Sequence, residues 1–408
     1  MPERAPSARP VPPPACRLQR GQVLVLALAL LGAGLAGALV MYNVGQATAE
    51  RAQLQDAADA AAWSGGLWVA RQLNFMAYTN RAMVANHVAA GHLVSYVSWL
   101  GYVRDSVDRV AFLTAWIPGV NAATSTARKV VSASYGVTKY LASMALLAVD
   151  GLNRLYLMAQ YASRATLQPF TLRSLMRGIA RRHDPAIDVN RPAELAKLAK
   201  EGPEGAVISA SLAAEGARLA GFVRRYGPAG DGGRIAALSW ASLDRSRRWI
   251  EGERGWKVKV PFVVRVRKVG RTRQGGADLM DWRASDELQV SWWRWDKCFK
   301  GWSGWSTVAR GSASARGLHP AYAGVPGYHA LRDGPGDRRL WVSALASRPP
   351  SGRLQTGALV PGAAPAPLRA LARAQVYHRR PDRALFALPG KGEHANLFNP
   401  FWEVRLAR

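Results

Sequence analysis

A run of twenty residues without a charged or strongly polar side chain, from Val23 to Tyr42, constrains this chain more than any other feature of its sequence. A helix rises ~1.5 Å per residue, so such a run reaches about 30 Å, the thickness of the hydrocarbon core of a bilayer. The apolar core of a secretory signal is shorter, about 7–15 residues, and ends at a small-x-small cleavage site. This run is longer and continues as LVMYNVGQ. We therefore expect an uncleaved membrane anchor.

The charges that flank the run predict its orientation. Residues 1–20 hold four arginines and one glutamate, whereas residues 43–62 hold one arginine and three acidic residues. Positively charged flanks stay in the cytoplasm. We expect a single-pass protein of a bacterial inner membrane. Residues 1–20 would form a cytoplasmic Pro/Arg tail, residues 21–42 the transmembrane helix, and the bulk of the chain would lie in the periplasm.

Residues 43–66 are rich in alanine, the best helix former, and are predicted to extend the anchor as a stem helix. Small residues, together with one leucine, recur along both parts at spacings that place them on shared helix faces. In the anchor they are Ala29, Ala33 and Gly37, and in the stem they are Ala47, Leu54, Ala58 and Ala61. We predict that these seven residues form an assembly interface for other helices. The alternative for the anchor residues is the ordinary frequency of Gly and Ala in membrane helices.

Two short strings flank and follow the anchor: RGQ at 20–22 and RAQLQDAADAAAWSGG at 51–66. Together they resemble the N-terminal module of TadE/TadG-like proteins of the Flp, or tight-adherence, pilus-assembly system. The usual pattern there is Arg-Gly-Gln, an apolar helix and then Leu-Gln-Asn-Ala-Ala-Asp-Ala-Ala-Ala. The resemblance covers residues 20–66. It implies membership in an envelope assembly system, with other pilus-assembly membrane proteins as partners.

The chain departs from that family's pattern at three places. Asp56 stands where asparagine is usual. Prepilin-like members are cut after a glycine with a glutamate five residues on, but Leu26 stands five residues after Gly21, so we expect no cleavage there. Larger members often carry a von Willebrand factor A domain with an Asp-x-Ser-x-Ser metal loop. The nearest string, DRSRR at 244–248, fails at its fifth position.

Residues 67–250 predict a helical periplasmic region. Helices are expected at 193–200, 206–226 and 234–251, separated by the Gly/Pro breaks EGPEG and GPAGDGG. The stretch from Ala82 to Val103 has no formal charge and is long enough to span a membrane. It contains Asn86, His87 and His92, so we expect a buried helix there rather than a second span.

Residues 251–408 predict a β-rich C-terminal domain. WKVKVPFVVRVRKV, DELQVSWWRW, RRLWVSALAS and ARAQVYHRR read as strands because they are rich in β-branched and aromatic residues. Gly/Pro-rich loops such as VPGAAPAP separate them. The predicted fold class is α+β, with a single N-terminal transmembrane helix, a mainly helical region and then a β-rich domain.

Charge and cysteine content argue against several classes of protein. The net charge of +28 is spread along 408 residues with no block of five like charges. A nucleic-acid binder more often shows a dense basic stripe, so we expect no nucleic-acid partner. Cys16 and Cys298 flank the anchor on opposite sides and cannot pair if it spans a membrane. The scattered histidines, including His87 and His92, lack the spacing of ligands, so no metal or cofactor is expected.

No string typical of a catalytic site appears, so we expect no enzyme activity. Asp281 with Asp286, or Asp286 with Glu287, could pair as catalytic carboxylates, but most chains of this size offer such pairs. Five tryptophans between residues 292 and 305 read as a sheet core with its loop, or as a stacking platform for sugars. The favoured hypothesis is a non-enzymatic membrane-anchored component of an Flp/Tad-type pilus-assembly or secretion system. The alternative is a membrane-anchored periplasmic protein that binds cell-wall glycan, or a cell-wall enzyme.

Overall fold

One helix of 92 residues, α1 (Gln22–Leu113), dominates the architecture. The computed structural model describes residues 22–243, 247–251, 254–295, 300–332, 338–349, 367–379 and 395–407. The predicted tail at 1–20, Cys16 and Cys298 lie outside these ranges. At ~1.5 Å per residue α1 is about 138 Å long. The predicted anchor, stem and first helix of the helical region are therefore one uninterrupted rod.

The chain reverses after α1 at a turn around Gly119, whose φ of 82° suits a residue without a side chain. Helix α2 (Val120–Thr166) then returns antiparallel to α1. Along it, Arg128 pairs with Asp108 at 2.9 Å, Asn86 bonds Asn153 at 2.9 Å, and Ser163 bonds Gln72 at 2.7 Å. The remaining helices are α3 (Pro169–His183), α4 (Pro192–Leu198), α5 (Pro203–Phe222), α6 (Pro228–Ser242), α7 (Arg247–Glu251) and α8 (Ala315–Leu318).

The described strands form three antiparallel sheets. The first sheet has the order β1 (Asp188–Val189), β9 (Leu340–Arg348), β10 (Leu368–His378) and β11 (Trp402–Ala407). The second pairs β2 (Val223–Tyr226) with β8 (Tyr328–Leu331). The third has the order β3 (Trp256–Val260), β4 (Val264–Gly275) and β5 (Asp281–Trp295), and β5 also pairs with β6 (Lys300–Trp302) and β7 (Ser306–Ser314).

Helix α1 passes over the first sheet and then the third. Asn74 exchanges two hydrogen bonds of 2.9 Å with the backbone of Trp402 on β11. About five turns beyond Asn74, Gly91 lies against the Trp282 ring on β5. The largest apolar core combines residues 54–76 of α1 with α3 and the first sheet. Residues from the predicted stem, helical region and β-rich domain thus share one core.

The order of elements confirms an α+β fold with a long apolar N-terminal helix, further helices and an antiparallel β-rich C-terminal region. Residues 82–103 lie within α1 and bury His87, Val94 and Ser98 against the rest of the chain. The predicted helix at 206–226 is wrong at its end, because Val223–Tyr226 pairs with β8. That backbone satisfies its hydrogen bonds across a sheet, which the local pattern of the segment does not reveal.

Candidate membrane and assembly surface

The N-terminal part of α1 exposes an apolar surface that the rest of the chain does not cover. Every residue from Val23 to Tyr42 is exposed, including Leu30 and Leu39. Its mean hydropathy reaches 2.6 over an 18-residue window. An exposed apolar helix of this length is unstable in water and matches the hydrocarbon core of a bilayer. Helix α1 is therefore suited to membrane anchoring.

A second helix also meets the requirements of length and hydropathy for a membrane span. Helix α2 has a mean hydropathy of 1.2 in its most apolar window, of which 22% is buried inside the protein. Among the described helices, α1 and α2 are thus both long and apolar enough to cross a bilayer. The single-pass arrangement stays a prediction.

The small residues predicted for the anchor are all exposed. Ala29, Ala33 and Gly37 lie in open space, and no other atom comes within 4 Å of a Cβ built on Gly37. Ala47, farther along α1, is half-buried. These four residues remain available to another helix, and their part in an assembly interface stays a prediction.

The three other interface residues lie elsewhere than expected. Leu54, Ala58 and Ala61 are 1%, 0% and 0% exposed and belong to the core that α1 forms with the first sheet. Their own chain covers them, so they cannot contact a partner protein in this fold. The expectation of an external helix is corrected here: a face of small side chains also allows a close approach by a sheet.

The SGG sequence at 64–66 shows how close that approach is. A Cβ on Gly66 would lie 2.6 Å from Val404 and 3.1 Å from Ala374, both on the first sheet. A Cβ on Gly65 would lie 2.9 Å from the sulfur of Met176 on α3. Side chains at these positions would push α1 off the sheet. The alanine- and glycine-rich string therefore serves helix-on-sheet packing within the chain.

Farther along α1, a buried charge cluster fixes the third sheet to the helix. Ser98 donates a hydrogen bond of 2.7 Å to the Asp286 carboxylate on β5, and Lys268 donates one of 2.6 Å to the other oxygen. Arg254 lies 3.3 Å from the same carboxylate. All three charged side chains are buried, and burial lowers the pKa of Lys268 and of Arg254.

The acidic residues considered as paired carboxylates each have partners of their own. Asp286 is occupied by two cations and a serine, while Asp281 accepts from Arg283 at 2.8 Å and from the backbone N–H of Arg316 at 3.1 Å. Glu287 pairs with Arg310 at 3.0 Å. Each acidic group is held by basic or polar partners of its own, and the roles that the geometry gives them are structural.

The histidines of α1 are likewise part of the packing. His87 is fully buried, with its ring nitrogens 3.0 Å from the Tyr322 hydroxyl and 3.0 Å from the Gln274 amide. Burial lowers its pKa to about 3. Burial also lowers the pKa of His92. Within the part of the chain that the structure describes, no group of three or more His, Cys, Asp or Glu side chains could hold a metal.

The tryptophan-rich segment lies at the end of the third sheet. Arg265 stacks over the Trp302 ring at 4.2 Å, and Arg267 stacks over Trp305 at 4.0 Å. Those rings are therefore engaged by cations of their own chain, as in ordinary cation–π pairs. Trp292 and Trp295 are 58% and 68% exposed and keep open surface for an external ligand.

Helix α2 has an exposed apolar face that was not predicted from the sequence, and we call it the outer α2 face. Its members recur every three or four residues in the heptad pattern of a coiled coil. They are Ala123, Ala127, Val130, Ser134, Val137, Leu141, Met144, Ala148, Gly151, Leu155, Met158 and Ala162. All twelve are exposed. Counting this 3.5-residue repeat in the sequence would have found the face.

Comparison with known proteins supports the sequence interpretation of the N-terminal module. Residues 21–72 match the family described as putative Flp pilus-assembly TadE/G-like. The matched segment comprises the exposed anchor, the alanine-rich stretch and the Gly65–Gly66 contact with the first sheet. No curated protein and no solved structure matches the chain.

Proposed function

We propose that the protein is a non-enzymatic, inner-membrane-anchored component of an Flp/Tad-type pilus-assembly or secretion system. The observation that carries this proposal is the coincidence of the family match at residues 21–72 with a helix of two distinct parts. The first part is exposed and apolar, whereas the second part is buried in the folded body. The pilus-family module thus joins a membrane segment rigidly to the α+β body.

The proposed orientation places residues 1–20 in the cytoplasm and the body in the periplasm. The charge change from the arginine-rich flank to the acidic flank supports it. From Asn43 to Leu113 the helix is about 105 Å long at ~1.5 Å per residue, so a body carried on it extends far from the bilayer. In this account the protein acts as a scaffold that presents its body to other envelope proteins.

The anchor supplies a test of this function. In a bacterium that makes the pilus, Ala29→Leu, Ala33→Leu and Gly37→Leu combined should leave the chain in the membrane but abolish piliation, because bulky side chains keep partner helices apart. A matched control replaces Leu24, Leu28 and Leu31 by alanine, because these three residues lie on the opposite side of a helix with 3.6 residues per turn. Normal piliation of the first variant would exclude these residues as an assembly interface. Normal piliation after deletion of the gene would contradict the proposed function itself.

The alternative function is binding of cell-wall glycan through the tryptophan-rich segment. Trp292 and Trp295 support it by their exposure, and they offer ring faces of the kind on which sugars stack. Trp292→Ala with Trp295→Ala tests this alternative in a sedimentation assay with isolated cell walls. Under the pilus-assembly proposal this variant should leave piliation unchanged.

A further inference from the structure

The outer α2 face is apolar although it is exposed, which departs from the usual distribution of polarity on a helix. The side of α2 that faces its own chain buries the polar residues Asp150, Asn153, Gln160 and Ser163 beside Ala142, Leu146 and Leu157. The opposite side exposes Leu141, Met144, Leu155 and Met158, at 59%, 46%, 60% and 67% of their surface. A helix that packs only against the core of its own chain normally exposes its polar side to water. We therefore expect another surface to cover the outer α2 face.

If α1 is anchored as proposed, the bilayer that holds it cannot cover the outer α2 face. Ser163, near the end of α2 closest to the anchor, bonds Gln72 on α1 at 2.7 Å. Gln72 lies thirty residues beyond Tyr42, or about 45 Å along the helix at ~1.5 Å per residue. The rest of α2 extends farther away, because the two helices are antiparallel. The occupant must come from the space outside the membrane.

Repeat, length and charge point to another helix as the occupant. The exposed residues follow spacings of four and three from Ala123 to Ala162, the a and d positions of a heptad. Small residues at Ser134, Ala148 and Gly151 let a second backbone approach closely. The flanking Arg154 bonds Asp150 of its own chain at 2.8 Å, so its charge is already balanced.

We propose that the outer α2 face pairs with the same face of a second copy of the chain. Forty residues of helix give a face about 60 Å long at ~1.5 Å per residue. A strip about 10 Å wide, the diameter of a helix, would bury roughly 600 Å² on each copy, near the lower limit for a stable specific interface. Two copies anchored alike in one membrane present their α2 helices in parallel. Identical residues of the two copies then face each other, as in a parallel two-stranded coiled coil.

Cysteine crosslinking of the full-length chain in membranes tests this pairing. In a background of Cys16→Ser and Cys298→Ser, Val130→Cys and Met158→Cys, each made alone, should give a disulfide-linked species of twice the 44.2 kDa chain mass upon mild oxidation. The control Lys139→Cys lies on α2, is exposed, and is not part of the outer face. It should give at least about five-fold less dimer. Equal crosslinking at all three positions would overturn the proposal.

A second variant separates pairing from folding. Leu141→Asp should abolish the Val130→Cys crosslink while abundance and protease resistance stay normal, because the Leu141 side chain lies outside the chain's own core. Should this variant be degraded, Leu155→Asp takes its place. Persistent crosslinking in a folded variant would contradict the pairing. Adducts of Val130→Cys with a different protein, without the homodimer, would also contradict it.

The same experiment distinguishes this inference from the proposed function. Crosslinks at both Val130 and Met158 require a parallel pair, since an antiparallel pair brings identical residues together only at its centre. Dimer at both positions in a strain whose piliation does not need the gene would support pairing and reject the pilus role. Loss of piliation on deletion of the gene, with no crosslink at either position, would support the pilus role and reject the pairing.

Discussion

The hydroxyl of Ser98 on α1 donates a hydrogen bond of 2.7 Å to the carboxylate of Asp286 on β5, and both side chains are buried. The bond joins a helix that begins in the proposed membrane segment to a strand that is 188 residues away in sequence. Close by, Ser95 bonds Thr272 on β4 at 2.7 Å. Side-chain hydrogen bonds thus join the third sheet directly to α1.

Replacing Asp286 by asparagine should destabilise the protein strongly. The change leaves Lys268 and Arg254 buried without their shared counter-ion, a loss of about 3–5 kcal/mol for a broken buried pair. Unfolding of the purified protein in detergent measures the effect. The control Glu287→Gln removes a partly exposed pair with Arg310 and should cost about 1 kcal/mol or less. Equal effects would contradict the buried cluster.

Replacing Gly311 by alanine should also be severe. A Cβ there would lie 2.1 Å from the backbone oxygen of Ser98 and 2.2 Å from the backbone nitrogen of Tyr102, which cannot rotate away as a side chain would. We expect a loss of several kcal/mol, or a chain that is degraded. In contrast, Gly136→Ala has open space around it inside α2 and should stabilise the helix by about 1 kcal/mol. A harmless Gly311→Ala would show that β7 lies farther from α1.

Leu54→Asp should lower the abundance of the protein, because Leu54 lies in the core between α1 and the first sheet. Burial of a leucine is worth roughly 1.5–3 kcal/mol, and an unpaired carboxylate in its place adds a further penalty. Immunoblotting of membranes measures the effect. Ala52→Asp, two residues earlier and exposed, should leave abundance unchanged. Normal abundance of the Leu54→Asp variant would contradict the burial of Leu54 and favour the external interface predicted from the sequence.

The buried histidine of α1 predicts a dependence of stability on pH. Burial lowers the pKa of His87 to about 3 against the ordinary value of 6.5. Between these values the unfolded chain binds a proton that the folded chain does not, so the free energy of unfolding should fall as pH decreases from about 6.5. Asp278 is the charged group that opposes this shift. His87→Gln should weaken the dependence, whereas His183→Gln, at an exposed position, should not.

Much of the fold could be predicted from local pattern. The apolar run, the alanine-rich continuation and the valine-rich strands from Trp256 onward have periodicities that depend on nearby residues alone. The packing partner of Leu54, Ala58 and Ala61 could not be predicted, because a face of mostly small side chains fits a helix or a sheet equally well. Only the packing of the first sheet decides between them, and some of its residues, such as Ala374, come more than 300 residues later in the chain.

The buried polar contacts of the fold could not be predicted from local sequence either. Asp286 lies in an ordinary strand pattern, and its partners Ser98, Lys268 and Arg254 come from three other elements or loops. The outer α2 face differs, since its heptad spacing is present in the sequence itself. What the sequence leaves open is whether that face is turned inward, and the burial of Asp150 and Asn153 on the opposite side settles this.

We propose that α1 alone crosses the membrane and carries the body outward. Alkaline-phosphatase fusions after Gly119 and after Leu167 test it directly, because they bracket α2, the second helix that is long and apolar enough to span. We expect both fusions to be active, since alkaline phosphatase folds only outside the cytoplasm. An active fusion at Gly119 with an inactive one at Leu167 would show that α2 crosses back. Inactivity of both would reverse the proposed orientation.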